Sequence, residues 1–198
     1  MKTFWIIFGA ALLLAKPAYD SLKAASDKAD DLTALKKKVA AYDRYRYLHR
    51  KNIITLVKII GKKKLITITN DEYPDETEYI YKLLKDTSGH VILTEQCPYS
   101  QSGDWYEEFK DYYNTNGKIF AFSKRETVFD ESVNGGVAVQ TDFRYYGRNF
   151  KVITHISKLT DKNGRMLKRR SNEFNFRDDK YMIYPNLIEY LRAYQIKI

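Results

Sequence analysis

The sequence predicts an α+β protein, a large antiparallel β-meander of about eight to nine strands packed with a long N-terminal helix and a short C-terminal helix. Three observations lead there. Residues 19–50 contain no Gly or Pro and repeat apolar side chains at steps of three and four. Beyond them the pattern changes to short runs rich in β-branched and aromatic residues, each bounded by Gly, Asn, Asp or Pro. Three loops, DTSGHVIL at 86–93, NTNGKIFA at 114–121 and DKNGRMLK at 161–168, carry an Asp or Asn followed three positions later by Gly, the pattern of a hairpin tip.

The chain opens MKTFWIIFGAALLLAKPAYD. Lys2 is a minimal positive flank, and Thr3 to Ala15 form thirteen uncharged residues before Lys16 and Pro17 stop the run. As a helix this run spans roughly 20 Å, short of the ~30 Å hydrocarbon core. Residues 1–18 are therefore expected to be a secretory signal peptide, with an uncleaved membrane anchor as the alternative. Neither Ala15 nor Ala18 offers a well-formed cleavage site, since Leu13 and Lys16 fall where a small residue is wanted. Residues 19–50 follow as the N-terminal helix, with Leu22, Ala25, Ala29, Leu32, Leu35, Val39 and Tyr42 on a narrow stripe. That stripe is Ala-rich and lasts about three heptads, so a helix laid along a sheet is expected in preference to a coiled-coil stalk.

Residues 51–198 are expected to form a single antiparallel β domain with the C-terminal helix. Its strands are read at 53–60, 65–69, 77–84, 90–97, 104–113, 118–129, 137–146, 149–159 and 165–171. In 137–146, Val137, Val139, Phe143 and Tyr145 alternate with Gln140, Asp142 and Arg144; in 104–113, Trp105, Phe109 and Tyr113 share a face. IITLVKII is apolar on both faces, as a covered strand requires. PNLIEYLRAY reads as the closing helix, with Pro185 in its first turn and Leu187, Tyr190, Leu191 and Tyr194 on one side. Gly89, Gly117 and Gly164 are expected at left-handed turn positions, and Gly147 in YYGRNF supplies a fourth turn.

Composition narrows the setting. Aromatics make up 15% of the 198 residues, with 17 Tyr and 10 Phe, which favours strands over helices. The net charge is +9, and it remains +7 without Lys2 and Lys16 of residues 1–18, so anionic partners are favoured. Cys97 is the single cysteine; an internal disulfide is excluded, which suits a bacterial periplasm. A periplasmic or secreted protein is expected.

No zinc-protease, nucleophile-elbow, C-x-x-C or dinucleotide signature occurs, and neither a catalytic residue, a metal nor a cofactor is assigned. His49, His90 and His155 lie far apart in sequence, and Cys97, followed by Pro98, reads as a small buried apolar residue. Asp104 with Glu108, or Glu107 with Asp111, offers the carboxylate pair that glycoside hydrolysis needs, although solvated strand charges give the same pattern. The candidate ligand or partner residues are Trp105, Tyr106, Tyr112, Tyr146 and Arg148, with the basic tip Lys62, Lys63 and Lys64. Tyr106, Tyr112 and Tyr146 are expected to be exposed, because alternation sends Trp105 and Tyr145 to the apolar face. The expected function is an exported, non-catalytic binding module of the bacterial cell envelope, recognising a protein, an envelope glycan or another anionic polymer. Basic tips are also compatible with peripheral membrane association, whereas export disfavours nucleic acid. The alternatives are an inhibitor or immunity-type protein against a secreted enzyme, and a hydrolase using the paired carboxylates near Trp105.

Overall fold

The computed structural model describes residues 31–198, apart from positions 71, 169, 178 and 179 and the side chains of Arg148 and Ser171. The expected signal segment, and residues 19–30 of the expected helix, lie outside the described residues. The chain divides into two compact units, Met1–Lys38 and Val39–Ile198. Residues 31–48 are helical (α1). The helix stops two residues earlier than expected because His49 leaves helical backbone angles, and a 3-10 turn, Arg50–Asn52, leads into the sheet. Asn52 fixes that exit by donating to the Tyr45 hydroxyl at 2.9 Å.

Eight strands follow: β1 Ile53–Ile59, β2 Ile66–Ile68, β3 Thr77–Lys85, β4 Val91–Pro98, β5 Trp105–Tyr113, β6 Ile119–Phe129, β7 Val137–Tyr146 and β8 Val152–Asp161. They form one sheet in the order β2-β1-β3-β4-β5-β6-β7-β8, and every neighbouring pair is antiparallel. From β3 onward the sheet is a plain meander. Among the described residues no strand forms at the expected 165–171: after one bridge, Thr160 to Met166, the chain leaves the sheet edge. Leu167 packs instead against the apolar cluster of Val128, Val133, Ala138 and Phe174. β8 starts three residues later than expected because Asn149 and Phe150 have φ of 62° and 58°, left-handed angles that no strand accepts.

Both faces of the sheet are covered. On the first, the part of α1 from Val39 onward packs over the centre: Tyr42 meets Phe120 edge-on at 5.7 Å, and the Tyr112 hydroxyl donates to Asp43 at 3.0 Å. On the second face lie residues 181–198 and a short helix α2, Leu187–Ala193. Leu187, Tyr190, Leu191 and Tyr194 all turn toward the cluster of Leu56, Tyr81, Leu83 and Val91, as their spacing predicts. The helix start differs in one detail: Asn186 caps it, its side chain accepting from the Glu189 amide, so Pro185 precedes the cap and is not inside the first turn. β4, fourth in sheet order, is buried along seven of its eight residues because it is covered from both sides.

The tips at Gly89, Gly117 and Gly164 share one hydrogen-bond scheme. In each, the glycine amide donates to the Asp or Asn three residues earlier, whose own amide donates to the residue after the glycine. All three glycines have positive φ. Gly147 opens the fourth turn, its amide donating to the Lys151 carbonyl, but with φ of −89° in extended backbone. Its need for glycine is spatial, since an added Cβ would stand 3.3 Å from the Ile153 side chain.

Candidate ligand-binding groove and buried polar clusters

Alternation along β3, β4 and β5 brings Lys82, Glu95, Cys97, Tyr106, Glu108 and Lys110 to the first face, beneath Arg46 of α1. Glu95 is almost fully buried and ion-paired with Arg46 Nη2 at 2.5 Å and Lys82 Nζ at 3.3 Å. Burial alone would raise its pKa; Lys82, Arg46 and Lys110 reverse that and hold it below the ordinary carboxylate value. Glu108 pairs with Lys110 at 2.7 Å and accepts from the Tyr106 hydroxyl at 2.9 Å. Burial, with Glu95 and Glu108 nearby, pushes the Cys97 thiol well up. Glu95, Cys97 and Glu108 are the one group among the described residues whose donor atoms gather closely enough for a metal ion. Three cations already neutralise these carboxylates, so the cluster is an internal ion-pair network that ties α1 to β3, β4 and β5.

The second face holds two further clusters. Asp111 is fully buried and accepts from the Tyr181 hydroxyl at 2.6 Å and the Tyr113 hydroxyl at 3.4 Å. Burial raises its pKa to about 7 against the pull of those two hydrogen bonds. Glu107 and Glu126, directly opposed across β5 and β6, are bridged by Lys124 Nζ at 3.0 and 2.9 Å. Neither carboxylate pair suggested by spacing converges. Positions four apart on a strand are separated by about 13 Å, beyond the separation that glycoside hydrolysis uses. Glu107 is held by Lys124 and Asp111 by Tyr181, while Asp104 bonds to Ser102 at the surface.

The expected binding residues do not form one site. Lys62, Lys63 and Lys64 are exposed beyond the end of β1. β1 and β7 are five strands apart in the sheet, about 24 Å at ordinary strand spacing. Trp105 and Tyr106 lie level with Ala138, at the opposite end of the strands from Tyr146. Trp105 is half-buried with Arg177 stacked 4.1 Å above its ring; Tyr106 is 38% exposed. Tyr112 and Tyr146, expected at the surface, are buried. Tyr112 lies under α1, and plain alternation sends Tyr145 to the first face and Tyr146 to the second, where it packs with Phe109 and Phe122. The side chain of Arg148 is outside the described residues.

What Tyr146 does instead is floor an open groove of about 480 Å³ lined by Arg144, Phe150, Val152, Lys180, Tyr181 and Met182. The Phe150 ring stacks on Tyr146 at 4.7 Å, and the turn is closed by the Gly147 amide donating to the Lys151 carbonyl at 2.8 Å. A phenylalanine at φ 58° is strained, a conformation that persists only where its surroundings enforce it. Phe150, Val152 and Met182 are exposed in this groove beside two cations, Arg144 and Lys180. Burial raises the Tyr146 hydroxyl while Arg144 pulls it back. Only Tyr146 of this set was legible as a candidate; Lys180 and Met182 belong to a stretch without periodicity, and only the Arg144–His155 cross-strand pairing carries a readable pattern. A second opening, of about 600 Å³, lies beside His49, Lys51, Ile54, Lys85 and Asp86, at the exit of α1 and the β3–β4 turn. No protein-family model matches the chain, and no curated protein or solved structure matches it either.

Proposed function

We propose that the protein is an exported, non-catalytic binding module of the cell envelope that takes an anionic protein segment or glycan in the Tyr146–Phe150 groove. The observation that carries this reading is the strained turn: Phe150 is held at positive φ where it exposes an aromatic edge beside Arg144 and Lys180. Strain of this kind costs on the order of 1–3 kcal/mol and is found at binding and active sites. The buried carboxylates, by contrast, are occupied with Arg46, Lys82, Lys110, Lys124 and Tyr181. Binding is therefore favoured over hydrolysis. The apolar run at Thr3–Ala15 supports export to the periplasm or beyond, and no helix among the described residues is long and apolar enough to cross a membrane.

The test is co-sedimentation with peptidoglycan sacculi, run beside affinity capture from envelope extracts, for the wild type and for Phe150→Ala and Lys180→Glu. Each substitution should weaken retention by about tenfold or more, the range of an interface anchor, with the unfolding midpoint nearly unchanged. Equal retention of all three proteins would remove the groove from the binding surface.

A further inference from the structure

We propose that the outer edge of β8 receives an extended, acidic segment of a partner protein as a ninth strand. The inference rests on the binding reading above and names the class of partner. β8 is the last strand of the sheet. At its C-terminal end the chain itself pairs with that edge: Leu167 donates to the Leu159 carbonyl at 3.0 Å, and Asp161 donates to the Arg165 carbonyl at 2.9 Å. Residues 159 and 161 thus turn their backbone groups outward. Pairing with β7 is regular from Thr154 to Asp161, and outward direction alternates along a strand, so Ser157 and His155 also present N–H and C=O to the outside. Among the described residues nothing covers them.

Charge selects the occupant. His155 and Lys158 lie on this edge, Lys151 precedes it, and Arg144 and Lys180 stand in the adjoining groove. The nearby acid, Asp142, is already engaged by His155 Nε2 at 3.1 Å. A second copy paired antiparallel would bring two Lys158 onto one short ladder, which like charges destabilise. Lysine on an edge strand guards against that kind of association. On the second face the guest's side chains meet His155 and the Arg144–Lys180 pair, so acidic residues fit there. On the first face they meet Thr154 and Ile156, where β-branched residues fit. Val152, which both lines the groove and begins β8, joins the two surfaces.

The probe is a synthetic peptide of about eight residues alternating Glu with Val, the length of an ordinary strand, with its alternate-residue N-methylated form and a Lys–Val counterpart as controls. The wild type should bind the first peptide and neither control. Ser157→Pro removes one outward N–H without touching the β7 ladder, and it should weaken binding by about tenfold or more while remaining folded. Ile156→Pro, whose N–H serves the ladder, should lose folding stability instead. Should Ser157→Pro fail to fold, the N-methylated peptide still decides, because it blocks the same hydrogen bonds from the other side. Undiminished binding by Ser157→Pro and by the methylated peptide, with loss in Lys180→Glu, would overturn the edge proposal and leave the groove intact. Absence of binding to the Glu–Val peptide, or a wild-type dimer abolished by Ser157→Pro, would overturn the acidic partner while the envelope capture independently judges the groove.

Discussion

The Tyr181 hydroxyl donates a 2.6 Å hydrogen bond to Asp111 across a separation of 70 residues, joining the C-terminal segment to the middle of β5. The Tyr181 ring lies flat on Phe109, 4.4 Å away and 10° from parallel, so the donor is fixed by stacking on the same strand that carries the acceptor. A buried carboxyl bonded to neutral hydroxyls alone is best kept protonated.

From that follows a pH dependence. Burial raises Asp111 from an ordinary 3.8 to about 7. Between those values the folded state holds a proton that the unfolded chain has released, so stability is greatest below the unfolded value and falls as pH rises through about 7. Asp111→Asn keeps an acceptor for Tyr181 but cannot ionise. Denaturation followed from pH about 4 to about 8 should show the wild type losing roughly 2–4 kcal/mol that the variant retains. Parallel slopes for the two proteins would mean that Asp111 is ionised throughout.

On the opposite face the logic reverses, since Glu95 is charged and paired. Arg46→Met leaves Glu95 buried with Lys82 as its remaining direct ion partner and should cost about 2–4 kcal/mol. Adding Glu95→Gln should recover part of that loss, because the uncompensated charge disappears. Additive losses in a double-mutant cycle would show that the two residues do not act as a pair.

How far these relationships were legible depends on their range. The expected bounds of β7 coincide with the observed ones and those of β5 agree to within one residue, because alternation is local and survives in any antiparallel sheet. The expected exposure of Tyr112 and Tyr146 fails for a global reason. Alternation distinguishes two faces, but it does not say that α1 covers one and residues 181–198 the other. Arg46 with Glu95, and Asp111 with Tyr181, are contacts between a patterned element and a distant one, and nothing periodic links them. The groove is less legible still, since Phe150 reaches it through a left-handed turn that the apolar run at 149–159 disguises as strand.

Cys97 offers a probe of whether α1 stays docked. Its thiol is buried, 3.7 Å from Glu95 Oε1 and 3.9 Å from the Tyr106 hydroxyl, and its pKa is pushed up by burial. Thiolate is the reacting species, so labelling by a thiol reagent at neutral pH should be slow and should track global unfolding in denaturant. Labelling that is fast under native conditions, and faster still in Arg46→Met, would instead reveal local opening of the network beneath the helix.

The tip at Gly117 couples a turn to the closure of the second face. Its amide donates to the Asn114 carbonyl at 2.8 Å, while its carbonyl accepts from the Leu187 amide at 2.9 Å, the first residue of α2. The neighbouring Ile119 amide donates to the Pro185 carbonyl at 3.1 Å. A Cβ at position 117 would touch only Leu187 Cβ at 3.8 Å, an ordinary contact, so the penalty for a larger residue comes from φ of +75° and not from crowding. Asn tolerates this region best and β-branched residues worst. Gly117→Asn should therefore cost least, Gly117→Ala about 1 kcal/mol, and Gly117→Val about 1–3 kcal/mol in chemical denaturation. Gly89 has φ of +84° with nothing within 4 Å, so Gly89→Ala isolates the backbone contribution. Matching losses for Gly89→Ala and Gly117→Ala would assign the whole cost to the turn. A distinctly larger loss at Gly117, accompanied by weaker protection of the α2 amides from hydrogen exchange, would show that the tip also anchors the C-terminal helix over Tyr113 and Tyr181.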